Sequence, residues 1–362
     1  MRVLLCAVRP ALSVPQPVRR SLVGRAATLA LAALAYASSA DAAAGDYAVK
    51  RKFVIGGEGG WDYLTYDESA HRLFVSRGTH VHVVDPDKGT VVGDIADTPG
   101  VHGIALAQDL GKGFISNGRD NSVTVFDLKT LETLARIRTG GENPDFIAYD
   151  PVSQRVFAFN GRSHSASVVD PVGMKLITTI ALDGKPESAV TDGKGIIFVN
   201  IEDKNEITAL DAANAVVVST RPVAGCEEPA ALAMDRERRR LFVGCQNKML
   251  AVLDADSGKR VAALPIGAGV DASAFDPGTK LAFSSQDDGT LTVIEERGAD
   301  SYAVVQNVIT QKGARTLALN PRNHDIYLIT AEFDAVPAKG QQRARRDLKP
   351  GTFTLIVVGT GK

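Results

Sequence analysis

Ionisable residues recur along this 362-residue chain at steps of 40 to 44 residues: Asp62, His102, Asp145, Glu187, Asp271 and Arg315. Ala230 takes the one remaining place in the series, between Glu187 and Asp271. Four carboxylates brought together would offer oxygen donors to a hard divalent cation such as calcium or magnesium, and His102 would also admit manganese or zinc. Without a cation they would repel one another and some would hold their protons, unless Arg315 neutralised two of them. All of this requires a fold that gathers residues some forty positions apart.

The sequence around them supplies one. LFVSRGTHVHVVDPDKGTVV (73–92) returns as GFISNGRDNSVTVFDLKTLETL (113–134), VFAFNGRSHSASVVDPVGMKLI (156–177), IFVNIEDKNEITALDAANAVVV (197–218), LFVGCQNKMLAVLDADSGKRV (241–261) and LAFSSQDDGTLTVIEERG (281–298). The acid closing each third strand falls at Asp85, Asp127, Asp170, Asp211, Asp254 and Glu295, at intervals of 42, 43, 41, 43 and 41 residues. Each unit reads as four short strands separated by turn residues. The strands are nearly continuous in Val, Ile, Leu and Phe, as expected where both faces of a sheet are covered. Four strands at this period predict an all-β fold, a β-propeller. RTLALNP (315–321), DIYLIT (325–330) and FTLIVVG (353–359) supply three strands of a seventh unit, and YAVKRKFVI (47–55) supplies its outer strand. The expectation is a seven-bladed β-propeller of four-stranded blades, its ring closed by the N-terminal strand joining the last blade.

The first strand of a blade is innermost, so the recurring residues should ring one mouth of the central channel. Three readings of that ring stand open: a water-filled structural ring, a site for a cation or small ligand, and catalysis. The turn acids Asp67, Asp150, Asp235 and Asp276 recur once per blade and read as turn or blade-to-blade hydrogen-bond elements. The links between second and third strands should emerge on the same face as the ring. The last of them swells to AEFDAVPAKGQQRARRDLKPG (331–351), a lid over the channel or an irregular excursion, whose RARR (343–346) suits an acidic partner.

The first 42 residues are read as a signal peptide, removed on export: Arg19, Arg20 and Arg25 precede the apolar run AATLALAALAYA (26–37), and Ala40 and Ala42 offer a cleavage site. That places the mature 43–362, a single domain, in the periplasm or outside the cell, without a membrane anchor and as a monomer. From 41 basic and 42 acidic residues the leader takes five arginines and one aspartate. The mildly acidic remainder argues against a broad nucleic-acid footprint. Cys226 and Cys245 are a disulfide candidate in an oxidising compartment, with a thiol or soft-metal pair as the other reading.

The segments GGEGGWDYLTYDE, SNGRDNSVTVFDLKTL, LFVGCQNK, FSSQDDGTLTV and GARTLALNP resemble the YVTN-type repeats of the YncE-like exported bacterial propellers. This resemblance covers essentially the whole mature chain and implies a binding or accessory protein, its small-molecule or protein ligand met at the channel face. GEGGW (57–61) also resembles the E-G-P-x-W opening of lactonases of the gluconolactonase type, propellers with a divalent ion in the channel. Gly60 replaces the proline and Trp61 comes one residue early. That second resemblance implies a metal-dependent hydrolase with Glu58 among the ligands, the metal polarising a carbonyl and a carboxylate or His102 moving a proton. No G-x-S-x-G elbow, P-loop or dinucleotide fingerprint is present.

Overall fold

The repeat folds as its spacing requires. In the computed structural model, six sheets are each built from four consecutive antiparallel strands, and a seventh takes its strands from both ends of the chain. The structure describes residues 46–298, 300–336 and 345–361. The expected leader, 1–42, lies outside them, as do the first two residues of RARR. The described residues form one compact unit.

Blade 1 runs from Leu64 to Ile95, blade 2 from Val101 to Arg138, blade 3 from Pro144 to Ala181 and blade 4 from Pro186 to Pro222. Blade 5 spans Pro229–Pro265 and blade 6 Val270–Ile309. Blade 7 combines Leu317–Leu319, Ile326–Thr330 and Thr354–Thr360 with the N-terminal strand Tyr47–Val54, which pairs antiparallel with Thr354–Thr360. The N-terminal strand therefore closes the ring as expected.

The apolar runs are explained by where the cores lie. Seven clusters of buried side chains each join two neighbouring blades, one cluster to a gap. Between blades 1 and 2, for example, Phe74, Val83 and Ile95 meet Ile104, Ile115 and Phe126. Both faces of an interior sheet are thus covered, and alternation between covered and exposed positions appears on an outer strand such as Tyr47–Val54.

The recurring acids hold turns. Asp127 Oδ1 accepts the backbone N–H groups of Lys129 and Thr130, both at 2.8 Å, and Asp170 Oδ1 accepts those of Val172 and Gly173 at 3.0 and 2.9 Å. Asp85 does the same in blade 1, whereas Asp211 and Asp254 each accept one backbone N–H and the side chain of the same residue, Asn214 and Ser257. Four residues after each of these acids the chain turns left-handed, at Gly89, Leu131, Met174, Ala215 and Gly258. A tight turn followed by one left-handed residue suits the twist of a hairpin. Met174 and Leu131 accept that conformation at a cost that the aspartate's two hydrogen bonds offset.

The long link of blade 7 is regular at its base, and residues 337–344 lie outside the described residues. Phe333–Val336 pairs antiparallel with Arg345–Leu348 in a two-stranded ladder that includes the last two residues of RARR. Phe333 packs on Trp61, with ring centroids 5.8 Å apart, and Leu348 joins the core between blades 7 and 1. The base of this hairpin therefore stands beside the channel mouth.

Cys226 and Cys245 form a disulfide with Cα atoms 5.4 Å apart. Cys245 ends the second strand of blade 5, the place held by Asn117, Asn160 and Gln286 in other blades, each opposite the first residue of the inner strand. In blades 2 and 3 that place is a buried amide holding two hydroxyls of the third strand. In blade 5 a covalent link to the preceding loop replaces it. A cross-link closing a loop of this length stabilises by about 3 kcal/mol. The Cys226→Ser, Cys245→Ser variant should therefore melt about 5–10 °C below the oxidised protein. Calorimetry finding equal melting temperatures would remove the disulfide from the account of stability.

Candidate functional site

Blades 2 to 6 share an irregularity at the head of the inner strand. The ladder with the second strand shifts register between Val101 and Ile104, Pro144 and Ile147, Pro186 and Ala189, Pro229 and Ala231, and Val270 and Ala272. The residues inside these shifts include His102, Asp145, Glu187, Ala230 and Asp271. A bulge of this kind releases a residue from the pleat and re-aims its side chain, here towards the axis. Asp62 and Arg315 stand just before the shortened inner strands of blades 1 and 7.

Hydrogen bonds between blades hold those strand heads in place. Ser116 of blade 2 donates to the Asp145 carbonyl of blade 3, and Ser285 of blade 6 to the Arg315 carbonyl of blade 7. Asn200 reaches the Ala231 carbonyl at 3.1 Å, Gln246 the Val270 carbonyl at 2.9 Å, and Thr316 the Asp62 carbonyl at 2.8 Å. Each bond runs from one blade to the next, so the strand heads of blades 1, 3, 5, 6 and 7 are each held by a neighbouring blade.

The six ring residues resolve into three groups. His102 Nδ1 lies 2.6 Å from Asp62 Oδ2 and 3.5 Å from Asp145 Oδ1. Arg315 Nε lies 2.9 Å from Asp271 Oδ2. Glu187 is joined at 3.0 Å by Lys185, which also contacts Glu202. Lys185 and Glu202 escaped the sequence reading because neither recurs in the repeat. Lys185 stands two residues before Glu187, and Glu202 lies in the polar link 200–206, on the face where such links were expected.

Below the ring the channel narrows to a cavity of about 200 Å³ lined by Tyr63, Ile104, Phe146, Ile147, Leu232 and Leu317, with Asp271 at its rim. Tyr63 meets Phe146 edge-on, with centroids 5.3 Å apart. Burial, and then the charges of Glu187, Asp145, Asp62 and Asp271, hold the Tyr63 phenol well above its ordinary range. One phenol therefore feels carboxylates from four blades. Beside the mouth, Trp61, Arg315, Phe333 and Leu348 line a second cavity of about 340 Å³ under the hairpin.

Five carboxyls here face three bases, and burial decides how the difference is met. Burial pushes Asp145 up to about 7, Asp62 and Glu187 adding repulsion while His102 opposes. Glu187 rises to about 7 through burial and Glu202, against Lys185. Asp271 reaches about 7 through burial, against Arg315. Burial alone would lower His102, but the hydrogen bond to Asp62 and the nearby carboxylates outweigh it and raise its pKa. The three raised acids therefore hold part of their protons near neutral pH.

Glu58, which the lactonase resemblance would make a metal ligand, is exposed, and its backbone carbonyl accepts Arg77 Nη2 at 2.9 Å. Asp62, His102 and Asp145 bring three potential ligand atoms within 4.8 Å of one another, close enough to be drawn onto one ion. A cation there would replace the proton that His102 Nδ1 shares with Asp62. Among the described residues no helix is long and apolar enough to cross a membrane.

No protein-family model matches the chain. No curated protein matches it either. Among solved structures, hydrazine synthase of Kuenenia stuttgartiensis is similar with a TM-score of 0.67 at 16% identity, covering 76% of this chain and 94% of that one. At that identity the likeness shows the β-propeller fold alone. Since 1822 chains of known structure match, the fold selects no function.

The raised acids give a stability test. A carboxyl whose folded pKa lies above its unfolded value stabilises fully below the unfolded pKa, and that contribution is lost as pH rises through the folded one. The raised histidine acts in the same direction. Melting temperature should therefore fall between about pH 5 and pH 8, and the Asp145→Asn, Asp271→Asn variant should show a flatter slope. Parallel slopes for the two proteins would show that the mouth does not store protons.

Proposed function

We propose that this chain is an exported binding propeller of the YVTN/YncE-like kind, whose channel mouth takes a small ligand bearing a positive charge. The observation that carries the proposal is the excess of acid: Asp145, Glu187 and Asp271, from three blades, are half-buried at one mouth and poised near neutrality. An ammonium group entering there would displace protons and meet carboxylates already desolvated, an exchange stronger than the same contact in water. Tyr63 and Phe146 below the ring suit the apolar or cationic part of such a ligand. The disulfide supports an oxidising compartment such as the periplasm.

The competing reading is metal-dependent hydrolysis of a lactone-like ester at the same mouth. It is favoured by the convergence of Asp62, His102 and Asp145. In that reading the ion would polarise the carbonyl, and a neighbouring carboxyl would move the proton.

Calorimetric titration with small mono- and diamines, against uncharged alcohols of equal size, separates the two. Amines should bind more tightly at pH 8 than at pH 6, releasing protons, and Asp145→Asn, Asp271→Asn should weaken them by roughly tenfold or more. Equal binding of alcohols and amines, or no effect of pH, would overturn the proposal. Turnover of lactones only with calcium, magnesium or manganese, lost with Asp62→Asn, would put the hydrolase in its place.

A further inference from the structure

Blade 1 carries a second convergence of ligating side chains, outside the mouth. His82 lies in the third strand, Val81–Asp85, directly opposite Asp94 in the fourth, Thr90–Ile95. His80 stands two residues earlier, in the link that opens the third strand. Its Nε2 lies 3.0 Å from His82 Nε2, and Asp94 Oδ1 lies 3.8 Å from each. Three donor atoms of three residues thus point at one volume.

We propose that His80, His82 and Asp94 form a site for a divalent transition-metal ion of the zinc type. Ligand atoms bound tetrahedrally at about 2.0–2.1 Å stand about 3.3 Å apart, and the three separations bracket that value. Two imidazoles with one carboxylate also match the softness of such an ion better than that of calcium or magnesium.

The surroundings support a metal over a plain hydrogen bond between the rings. Only one proton fits between two Nε2 atoms, so in the metal-free form one imidazole accepts from the other. In that pairing His82 Nδ1 is buried with no partner. His82 Nε2 is thus left to a proton shared with His80 or to a metal ion, and Nδ1 is unpartnered in either state. Thr79 Oγ1 lies 3.3 Å from His80 Nδ1, where it can accept the Nδ1 proton and leave Nε2 as the ligating atom. A cavity of about 500 Å³, lined by Thr79, His80, Asp94, Ala96, Asp97 and Pro99, opens onto the cluster and gives an ion its entry and room for a water ligand. Burial, then His80 and the buried Arg77, hold His82 below the ordinary histidine range against Asp94.

Zinc chloride titrated into the chelator-treated full chain tests the site, with cobalt(II) as the spectroscopic probe. One zinc per chain should bind, and cobalt should give the visible bands of a four-coordinate site. His80→Gln and His82→Gln should each weaken zinc by roughly 100-fold or more, whereas Asp145→Asn at the mouth should leave it unchanged. Metal-free melting of each variant checks folding, and His80→Gln, in a surface link, carries the test if His82→Gln unfolds. Zinc binding no tighter than that of the His80→Gln, His82→Gln double variant would overturn the site. So would binding that survives His80→Gln and disappears with Asp145→Asn, which would move the metal to the mouth and leave this cluster empty.

Discussion

Everything at the mouth depends on the pairing of Tyr47–Val54 with Thr354–Thr360, the contact that makes a row of blades into a ring. An open row would leave a sheet edge at each end and no common axis. Closure brings seven inner strands to one axis, and only there can residues some forty positions apart become neighbours. The bond is strengthened from outside the blade: Gln306 of blade 6 exchanges hydrogen bonds with both the N–H and the carbonyl of Tyr47, at 2.9 and 2.8 Å. Tyr47 itself is buried edge-on against Phe283. The strand Tyr47–Val54 is thus fixed by the last blade and the one before it.

Most of this architecture was legible because it repeats. A period near 42 residues, strands rich in branched apolar residues and a turn acid in each unit are all consequences of one blade packing on the next, so they recur and can be aligned. The same alignment placed six residues at the mouth. It could not see Lys185, Glu202 or Tyr63, each of which belongs to a single blade. Arg77 was invisible for the same reason: it is fully buried, its guanidinium 3.6 Å over the ring of Phe353 and donating to the carbonyls of Gly56 and Glu58. His80 and His82 were read only as part of a polar link and a strand. Their meeting with Asp94 depends on the cross-strand register of blade 1, which periodicity does not specify.

The bulges at the strand heads were likewise outside the reach of pattern. The sequence shows an ionisable residue where an inner strand begins, but a regular pleat could send that side chain towards either neighbouring blade. Glycine and proline mark the place: Gly103 follows His102, and Pro144, Pro186 and Pro229 precede Asp145, Glu187 and Ala230. Gly103 leaves little room for a side chain, since a Cβ there would lie 3.1 Å from Ile147 and 3.3 Å from the Asp145 carbonyl. Proline offers no N–H, so the ladder loses a donor where it changes register. The residues that break the pleat are therefore the same ones that aim the ring.

Aspartate meets opposite fates at the two ends of the blades, and the contrast separates structure from chemistry. Asp127 and Asp170 lie near solvent and accept two backbone N–H groups each, which hold their pKa values below the ordinary range. Asp254 is lowered by Ser257 and Arg240 in the same kind of turn. These acids are needed once per blade, are satisfied within their own turn and have nothing left to offer a ligand. At the other end Asp145 and Asp271 have no such turn; burial raises them and their partners come from across the axis or the next blade. A residue type that is satisfied locally on one face and only collectively on the other marks the second face as the one where an incoming group can change the balance.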